Sequence, residues 1–379
     1  MRSGLARAEV ISNRPRAVSS GTLVRAWRCS FAINGRFLTQ ETTGVQRYAR
    51  EIVGAIDTNL SSRGGAASLI APAHAGVFPK FQSVGVTQIG PGGGQLWEQL
   101  VLPLRRSEPL LNLCNTAPAF GGRQVVCIHD ANVFTEPNSY SRGFRLFYQA
   151  LQPWIARRAL QVTSVSKSAA LQLSLYLNVP LRRVEVLPNG YEHALRWRAS
   201  RSTLFDARPP RRPYVLLLAS RAKHKNVDRV VGLAEALDAL NLDIMIAGGD
   251  ASIFAQTAAG SAPNLRWLGR VSDDDLALLF SRALCLAFPS LTEGFGLPVI
   301  EAMALGCPVV ASDRASLPEV CGSAALLADP TEASCWIKHF ATLAESRELR
   351  TDLRARGAER ITRFSWSKSA AGYLDLFGH

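Results

Sequence analysis

The 379-residue sequence predicts an α/β protein of two domains, each a parallel sheet covered by helices. Three observations lead there. Short β-rich runs alternate with helical stretches along the whole chain. The alternation stops at Pro209-Pro210-Arg211-Arg212-Pro213, where consecutive prolines continue neither a helix nor a central strand, and then restarts. The length also exceeds one ordinary core and suits two.

In the first half the expected strands are Cys29–Gly35, Ser68–Ala73, Leu110–Asn115, Val125–Asp130, Val162–Ser166 and Val184–Pro188. Helices fall at about 44–57 and 141–159. After the proline linker the strands are Tyr214–Ser220, Leu242–Gly248, Leu265–Leu268, Ala283–Phe288 and Pro308–Ala311, with helices near 226–240, 273–282, 298–306 and 331–343. The domains are therefore placed at 31–200 and 205–360. A final helical segment, 361–379, is expected to pack back on the first domain. Residues 1–30, with six Arg against Glu9, read as a basic, poorly ordered leader or an upstream start, outside the fold.

A content of 47% hydrophobic and 19% charged residues is globular and excludes disorder and fibrous repeats. No stretch nears the ~18 uninterrupted apolar residues needed to cross a bilayer. Seven cysteines, without a C-x-x-C pair, read as reduced core thiols of a cytosolic protein. The net charge of +13 is uneven: 17 basic and 9 acidic residues give +8 over 31–200, whereas 20 and 20 cancel over 201–379. Two readings stand: an anionic partner for the first half (phospholipid, lipid-linked diphosphate or nucleic acid), or solubility alone.

The segment from Pro289 to Glu301, PSLTEGFGLPVIE, carries the most chemistry. An apolar strand enters a glycine-rich turn, and Pro298 opens a helix at its favoured first-turn position. Gly294 and Gly296 let backbone approach a ligand, and the new helix offers unpaired N–H groups to phosphate. Glu293 on the turn and Glu301 one turn inside the helix place one carboxylate for a sugar ring and another for a ribose.

The run Glu-Gly-Phe-Gly-Leu-Pro-x-x-Glu-Ala-Met-Ala-x-Gly-x-Pro-Val-Val resembles the signature of glycosyltransferase family 4, with its two glutamates separated by seven residues. Leu317-Pro318-Glu319-Val320 stands where the family carries a similar Pro-Glu element. The resemblance implies a GT-B fold: two Rossmann-like domains facing across a donor-binding cleft. It also implies transfer of a hexose from a nucleotide sugar with retention of configuration. Glu293 and the Phe295, Gly296 and Leu297 backbone would then contact the hexose, and Glu301 the ribose hydroxyls.

Other positions fit the same resemblance. Within Ala219-Ser220-Arg221-Ala222-Lys223-His224-Lys225-Asn226, Arg221 and Lys225 are the expected cations on the donor diphosphate, with Lys223 an alternative to Lys225. Thr43-Gly44-Val45-Gln46 is similar to the family's Gly-Val-Gln element, whose glycine (Gly44) touches the donor phosphates when the cleft closes. His129, at the end of the strand Val125–Asp130, is expected to line the reaction centre, where ligands gather in open α/β sheets. Asp130 is a weaker candidate.

Asp273-Asp274-Asp275 reads as a helix start after Ser272, because acids in a first turn complement the dipole. With no cluster at metal-ligand spacing, no metal is expected, and no cofactor beyond the nucleotide-sugar substrate. The apolar stripe Phe144, Phe147, Tyr148, Leu151, Trp154 and Ile155, ringed by arginines, reads first as a face buried under a sheet. Its second reading, shared with the segment Leu96 to Arg106, is membrane contact.

The expected activity is hexosyl transfer, with GDP-mannose the first choice of donor. The acceptor would be a lipid-linked or growing polysaccharide unit, and the site of action cytoplasmic or peripheral at the inner face of the membrane. A nucleotide-sugar epimerase of the same fold is the alternative enzyme. A nucleic-acid-binding protein would carry aromatic–basic recognition motifs, and none is present.

Overall fold

The computed structural model describes residues 31–76, 79–220, 222–249 and 262–379. The basic leader, Cys29 and Arg221 lie outside them.

The first sheet holds β1 (Ala32–Asn34), β2 (Ala67–Pro72), β3 (Val84–Ile89), β4 (Leu110–Asn112), β5 (Gln124–Cys127), β6 (Gln161–Ser164) and β7 (Val184–Val186) in the order β3-β2-β1-β4-β5-β6-β7. The second holds β8 (Tyr214–Leu218), β9 (Asp243–Ala247), β10 (Leu265–Gly269), β11 (Cys285–Phe288), β12 (Val309–Ser312) and β13 (Leu326–Ala328) in the order β10-β9-β8-β11-β12-β13. Every pairing is parallel. Both sheets reverse their winding beside their first strand, the position where α/β sheets bind ligands. Central strands such as β1, β4, β5 and β11 are buried throughout, because helices cover both faces.

The helices that place the site are α1 (Gly44–Arg63), α2 (Arg142–Arg158), α3 (Lys167–Leu177), α4 (Asp273–Arg282), α5 (Leu297–Ala304), α6 (Arg347–Ile361) and α7 (Trp366–Leu376). α1 buries Tyr48, Ile52, Ile56 and Leu60 completely, each position worth ~1.5–3 kcal/mol of transfer free energy. It stops at Gly64, which takes the left-handed φ of 73°. α7 crosses back to the first domain and lies on α1. There Phe377 stacks on Phe31 with ring centroids 4.3 Å apart, and the Tyr373 hydroxyl meets those of Tyr48 and Thr163, each at 2.9 Å.

Several elements differ from expectation. β3 and β13 were not anticipated: each is an edge strand, and β3 exposes four of its six residues, so it shows no core periodicity. α3 and α6 were also unanticipated. The helix expected over 226–240 is two pieces, Val227–Val231 and Ala234–Ala239, parted at Gly232, a poor helix former. The strand expected to reach Asp130 ends at Cys127, because beyond it the His129 N–H bonds the Asn115 side chain, 2.7 Å away.

Candidate active site at the domain interface

The glycine-rich turn after β11 sits between the two domains and is braced by both. Gly296 holds φ 92°, and a Cβ there would lie 2.7 Å from Leu317. Gly294 packs so closely under the first domain that a Cβ would meet the His129 carbonyl at 2.2 Å. Ser166 Oγ donates to the Gly294 carbonyl (2.6 Å), and Ser316 Oγ to that of Glu293 (3.0 Å). The Glu319 carboxylate accepts from the first N–H groups of α3, Lys167 at 2.9 Å and Ser168 at 3.0 Å. The domains therefore meet directly across the turn.

The two glutamates of the motif stand in different settings. Glu293 Oε1 pairs with Lys225 Nζ at 2.7 Å. Glu301, 5% exposed, accepts from His193 Nε2 at 2.8 Å, while Trp366 Nε1 donates to His193 Nδ1 at 3.1 Å. An indole N–H only donates, so His193 is the neutral tautomer with its proton on Nε2. Glu301 Oε2 accepts no hydrogen bond among the described residues, and Glu301 faces the cavity between the domains. Arg47 of α1 crosses to the second domain and grips Asp273 through both guanidinium ends, at 2.6 and 3.0 Å.

On the facing side, Gly44 opens α1 behind Thr43, whose N–H is held by the Gln46 side chain at 3.3 Å. His129 lies edge-on to Tyr48, centroids 4.7 Å apart, and its Nε2 is 2.9 Å from the Leu113 carbonyl. A carbonyl only accepts, so Nε2 carries a proton. Gly44, His129, Lys225, Glu293, Phe295, Gly296, Leu297 and Glu301 all line one cavity of about 580 Å³. Phe295 and Leu297 themselves are buried, so there the backbone faces the cavity while the Phe295 ring packs on Phe364, centroids 5.3 Å apart.

Over residues 204–360 the chain matches the family described as glycosyl transferases group 1. It is 29% identical over 283 residues to O-antigen chain mannosyltransferase B of Escherichia coli, covering 67% of this chain and 70% of that one. It is 26% identical over 217 residues to O-antigen chain mannosyltransferase RfbU of Salmonella typhimurium, covering 56% and 58%. Solved structures with the same fold include a sucrose-phosphate synthase from Thermosynechococcus elongatus (19% identical, TM-score 0.71, 92% and 98% covered). Another is WaaG, a glycosyltransferase involved in lipopolysaccharide biosynthesis (15% identical, TM-score 0.68, 92% and 99% covered). The chain is a GT-B-fold glycosyltransferase.

Electrostatics distinguish the groups in the glycosyltransferase cleft. Burial raises the Asp130 pKa, with Glu293 adding to the rise against the Asn132 N–H and His129. Burial and then Lys225 lower that of His224, which favours its neutral imidazole. Burial also pulls His129 down, but Cys127, the Leu113 carbonyl and Asp130 pull it back above the ordinary value.

Sequence reasoning missed Arg47, Tyr140, Asn189, Ser220, Gly248 and Arg270 in the cavity lining. Gly248 had a signal: the Gly-Gly pair ending β9, where Gly248 takes φ 84° and a Cβ would lie 2.6 Å from the Ala219 carbonyl. Asn189 had one in Pro-Asn-Gly, a turn sequence; its buried Oδ1 has no partner. Asp273, Asp274 and Asp275 open α4 through a Ser272–Asp275 capping box, so this acidic run is a helix start that also receives Arg47. Among the described residues no group of three or more His, Cys, Asp or Glu is placed to hold a metal.

Proposed function

We propose that the enzyme transfers a hexose, with retention of configuration, from a nucleoside diphosphate sugar to a sugar acceptor in polysaccharide synthesis. The observation that carries the reading is the Lys225–Glu293 pair at the start of α5, facing Gly44 across the cavity. Lys225 has three donors and spends one on Glu293, leaving two for the diphosphate. The α5 N-terminus adds backbone N–H groups to the same charge. Glu301 Oε2 is free for a ribose hydroxyl, and the His193–Trp366 chain keeps that carboxylate in place.

As the acceptor oxygen bonds to the sugar's C1, the bond from C1 to the diphosphate breaks. The acceptor proton passes to the departing phosphate oxygen on the same face. Lys225 and α5 hold the charge that grows there, a role a divalent metal fills in other transferases. GDP-mannose is the proposed donor, supported by the mannosyltransferase names of the two relatives.

Melting temperatures with GDP, UDP, ADP and dTDP test the donor, because a ligand that binds only the folded state stabilises it. GDP should give the largest shift, and a larger shift with another nucleotide would reassign the base. Glu301→Ala should raise the donor KM more than it lowers kcat. Unchanged donor affinity with lost turnover would contradict the ribose assignment.

The acceptor is proposed to be met at an anionic membrane surface. The stripe on α2 divides: Leu151 and Ile155 are buried, whereas Phe144, Phe147 and Trp154 are 42%, 39% and 36% exposed. The first reading, a face buried under a sheet, therefore holds only for its inner half. Beside it Leu96, Leu100 and Leu104 are 75%, 62% and 83% exposed. Gln99 holds Ala117 and Ala119, and Trp154 Nε1 donates to the Ala119 carbonyl at 2.9 Å, so the two segments form one face. Arg105, Arg142, Arg157 and Arg158 stand exposed around it. Among the described residues no helix is long and apolar enough to cross a membrane.

A further inference from the structure

A second cavity, of about 650 Å³, opens between α1, the turn after β1 and the start of α7. It shares no lining residue with the cavity between the domains. Its wall is mainly apolar, built from Phe37, Leu38, Val53, Leu69, Phe81 and Trp366. α1 serves both cavities. Arg47 faces the cleft, and Arg50, Glu51, Gly54 and Thr58 follow along the helix to face the second space. Gly54 stands in the middle of this 20-residue helix, where glycine is a poor helix former. A Cβ built there meets no atom within 4 Å, so packing does not demand the glycine. Its effect is to leave the cavity open.

The polar groups of the wall are spent on one another, with one exception. Glu51 pairs with Arg196. Glu192 accepts from Ser365 Oγ at 2.6 Å and from the Trp366 N–H at 3.2 Å. Asn59 and Ser367 bond each other twice, at 3.0 and 3.1 Å, and Thr58 Oγ1 donates to the Gly54 carbonyl at 3.1 Å. The exception is Arg50, whose side chain makes no hydrogen bond or ion pair among the described residues. Its Nε is buried without a partner, and its guanidinium carbon lies 6.0 Å from the centre of the Phe37 ring. A charged donor removed from water and left unpaired is costly, and an acceptor placed in the cavity would relieve that cost.

We infer that this cavity is a ligand site for an aliphatic carboxylate, a single hydrocarbon chain with its head on Arg50. A guanidinium takes a carboxylate through two parallel N–H···O bonds, and the apolar wall takes the chain. The charges choose the head. A cation would meet Arg50, and a neutral head would leave the guanidinium unmatched. A dianion would face Glu51 and Glu192 with Arg196 already committed to Glu51. The volume lies within the range of small-molecule sites, ~300–1,000 Å³. The site stands apart from the cleft, so the inference holds whether or not the glycosyl-transfer reading does.

Isothermal titration calorimetry on the full chain at pH 8 tests this with decanoate, decanamide, decyl phosphate and decyltrimethylammonium, each kept below its micelle concentration. Decanoate should bind once per chain, and the other three at least tenfold more weakly. Arg50→Gln should weaken decanoate tenfold or more, and Gly54→Leu should abolish its binding by filling the cavity. Both variants should keep the parent's circular dichroism spectrum and cooperative melting; if Gly54→Leu does not fold, Arg50→Gln decides alone. No heat with decanoate, equal affinity for all four heads, or decanoate binding that survives a substitution in a folded variant would overturn the assignment.

Discussion

Lys225 Nζ and Glu293 Oε1 are 2.7 Å apart, although 68 residues separate them in the chain. The contact ties the loop after β8 to the turn after β11, so the cation and carboxylate of the cleft are positioned together. Removing the cation should cost about 2–4 kcal/mol of transition-state stabilisation, the range for one preorganised electrostatic donor. Lys225→Ala should therefore lower kcat/KM by a factor of roughly 30 to 1,000 and leave the fold intact. Turnover should also survive excess EDTA. Loss of activity on chelation, restored by Mn²⁺ or Mg²⁺, would show that a metal and not Lys225 carries the leaving-group charge.

Gly44 separates stability from donor binding. A Cβ built there meets no atom within 4 Å, yet the residue lines the cavity between the domains. Gly44→Ala should leave the protein as stable or more stable, by up to ~1 kcal/mol, because the unfolded chain loses freedom. Gly44→Leu should fold equally well but raise the donor KM at least tenfold by filling phosphate space. If both variants turn over like the parent, Gly44 is only a helix start.

Asp130 supplies a prediction about pH. Its pKa is raised in the folded state, chiefly by burial, so the folded protein binds the proton more tightly than the unfolded chain. Stability is then fully present below the unfolded pKa and is lost as pH rises through the folded one. Asp130→Asn keeps an oxygen for the Asn132 N–H and removes the partly buried charge. It should raise the Tm of the ligand-free protein near pH 7.5, with the gain vanishing by about pH 3. A lower Tm at pH 7.5 would mean that Asp130 is stabilised as an anion.

The second domain's half of the cavity was legible because its residues are compressed into short segments. Glu293, Gly296 and Glu301 lie within one turn and one helix, so their types and spacing speak without tertiary information. Arg47 and His193 were not legible: each gains meaning only by crossing between domains to reach Asp273 or Glu301. The positions of the central strands followed from their apolar runs, whereas β3, with four consecutive residues exposed, left no such trace. On α2 the stripe itself was readable. Its division into core, cavity wall and outer face depends on how the helix is rotated against the sheet, which periodicity does not record.

That outer face gives the last prediction. The leader carries its own positive charge and would bind anionic vesicles alone, so the test must keep it and change only the face. Leu100→Glu/Leu104→Glu removes two apolar contacts, each worth up to ~1.5–3 kcal/mol if fully buried in lipid, and adds two like charges to the surface. Arg142→Ala/Arg145→Ala removes about 1 kcal/mol per basic group, a loss of roughly 30-fold in vesicle affinity. The full chain should bind vesicles containing anionic lipid at low salt and release at about 0.5 M NaCl, where the attraction is screened well inside its physiological range of ~8 Å. Both pairs of substitutions should weaken sedimentation with vesicles while the melting shift with GDP stays unchanged, since neither pair reaches the donor cavity. If both variants bind as the parent does, attraction resides in the leader or elsewhere, and the exposed leucines and phenylalanines do not meet lipid. If only the arginine pair matters, the enzyme is held by charge above the surface and its apolar residues stay in water.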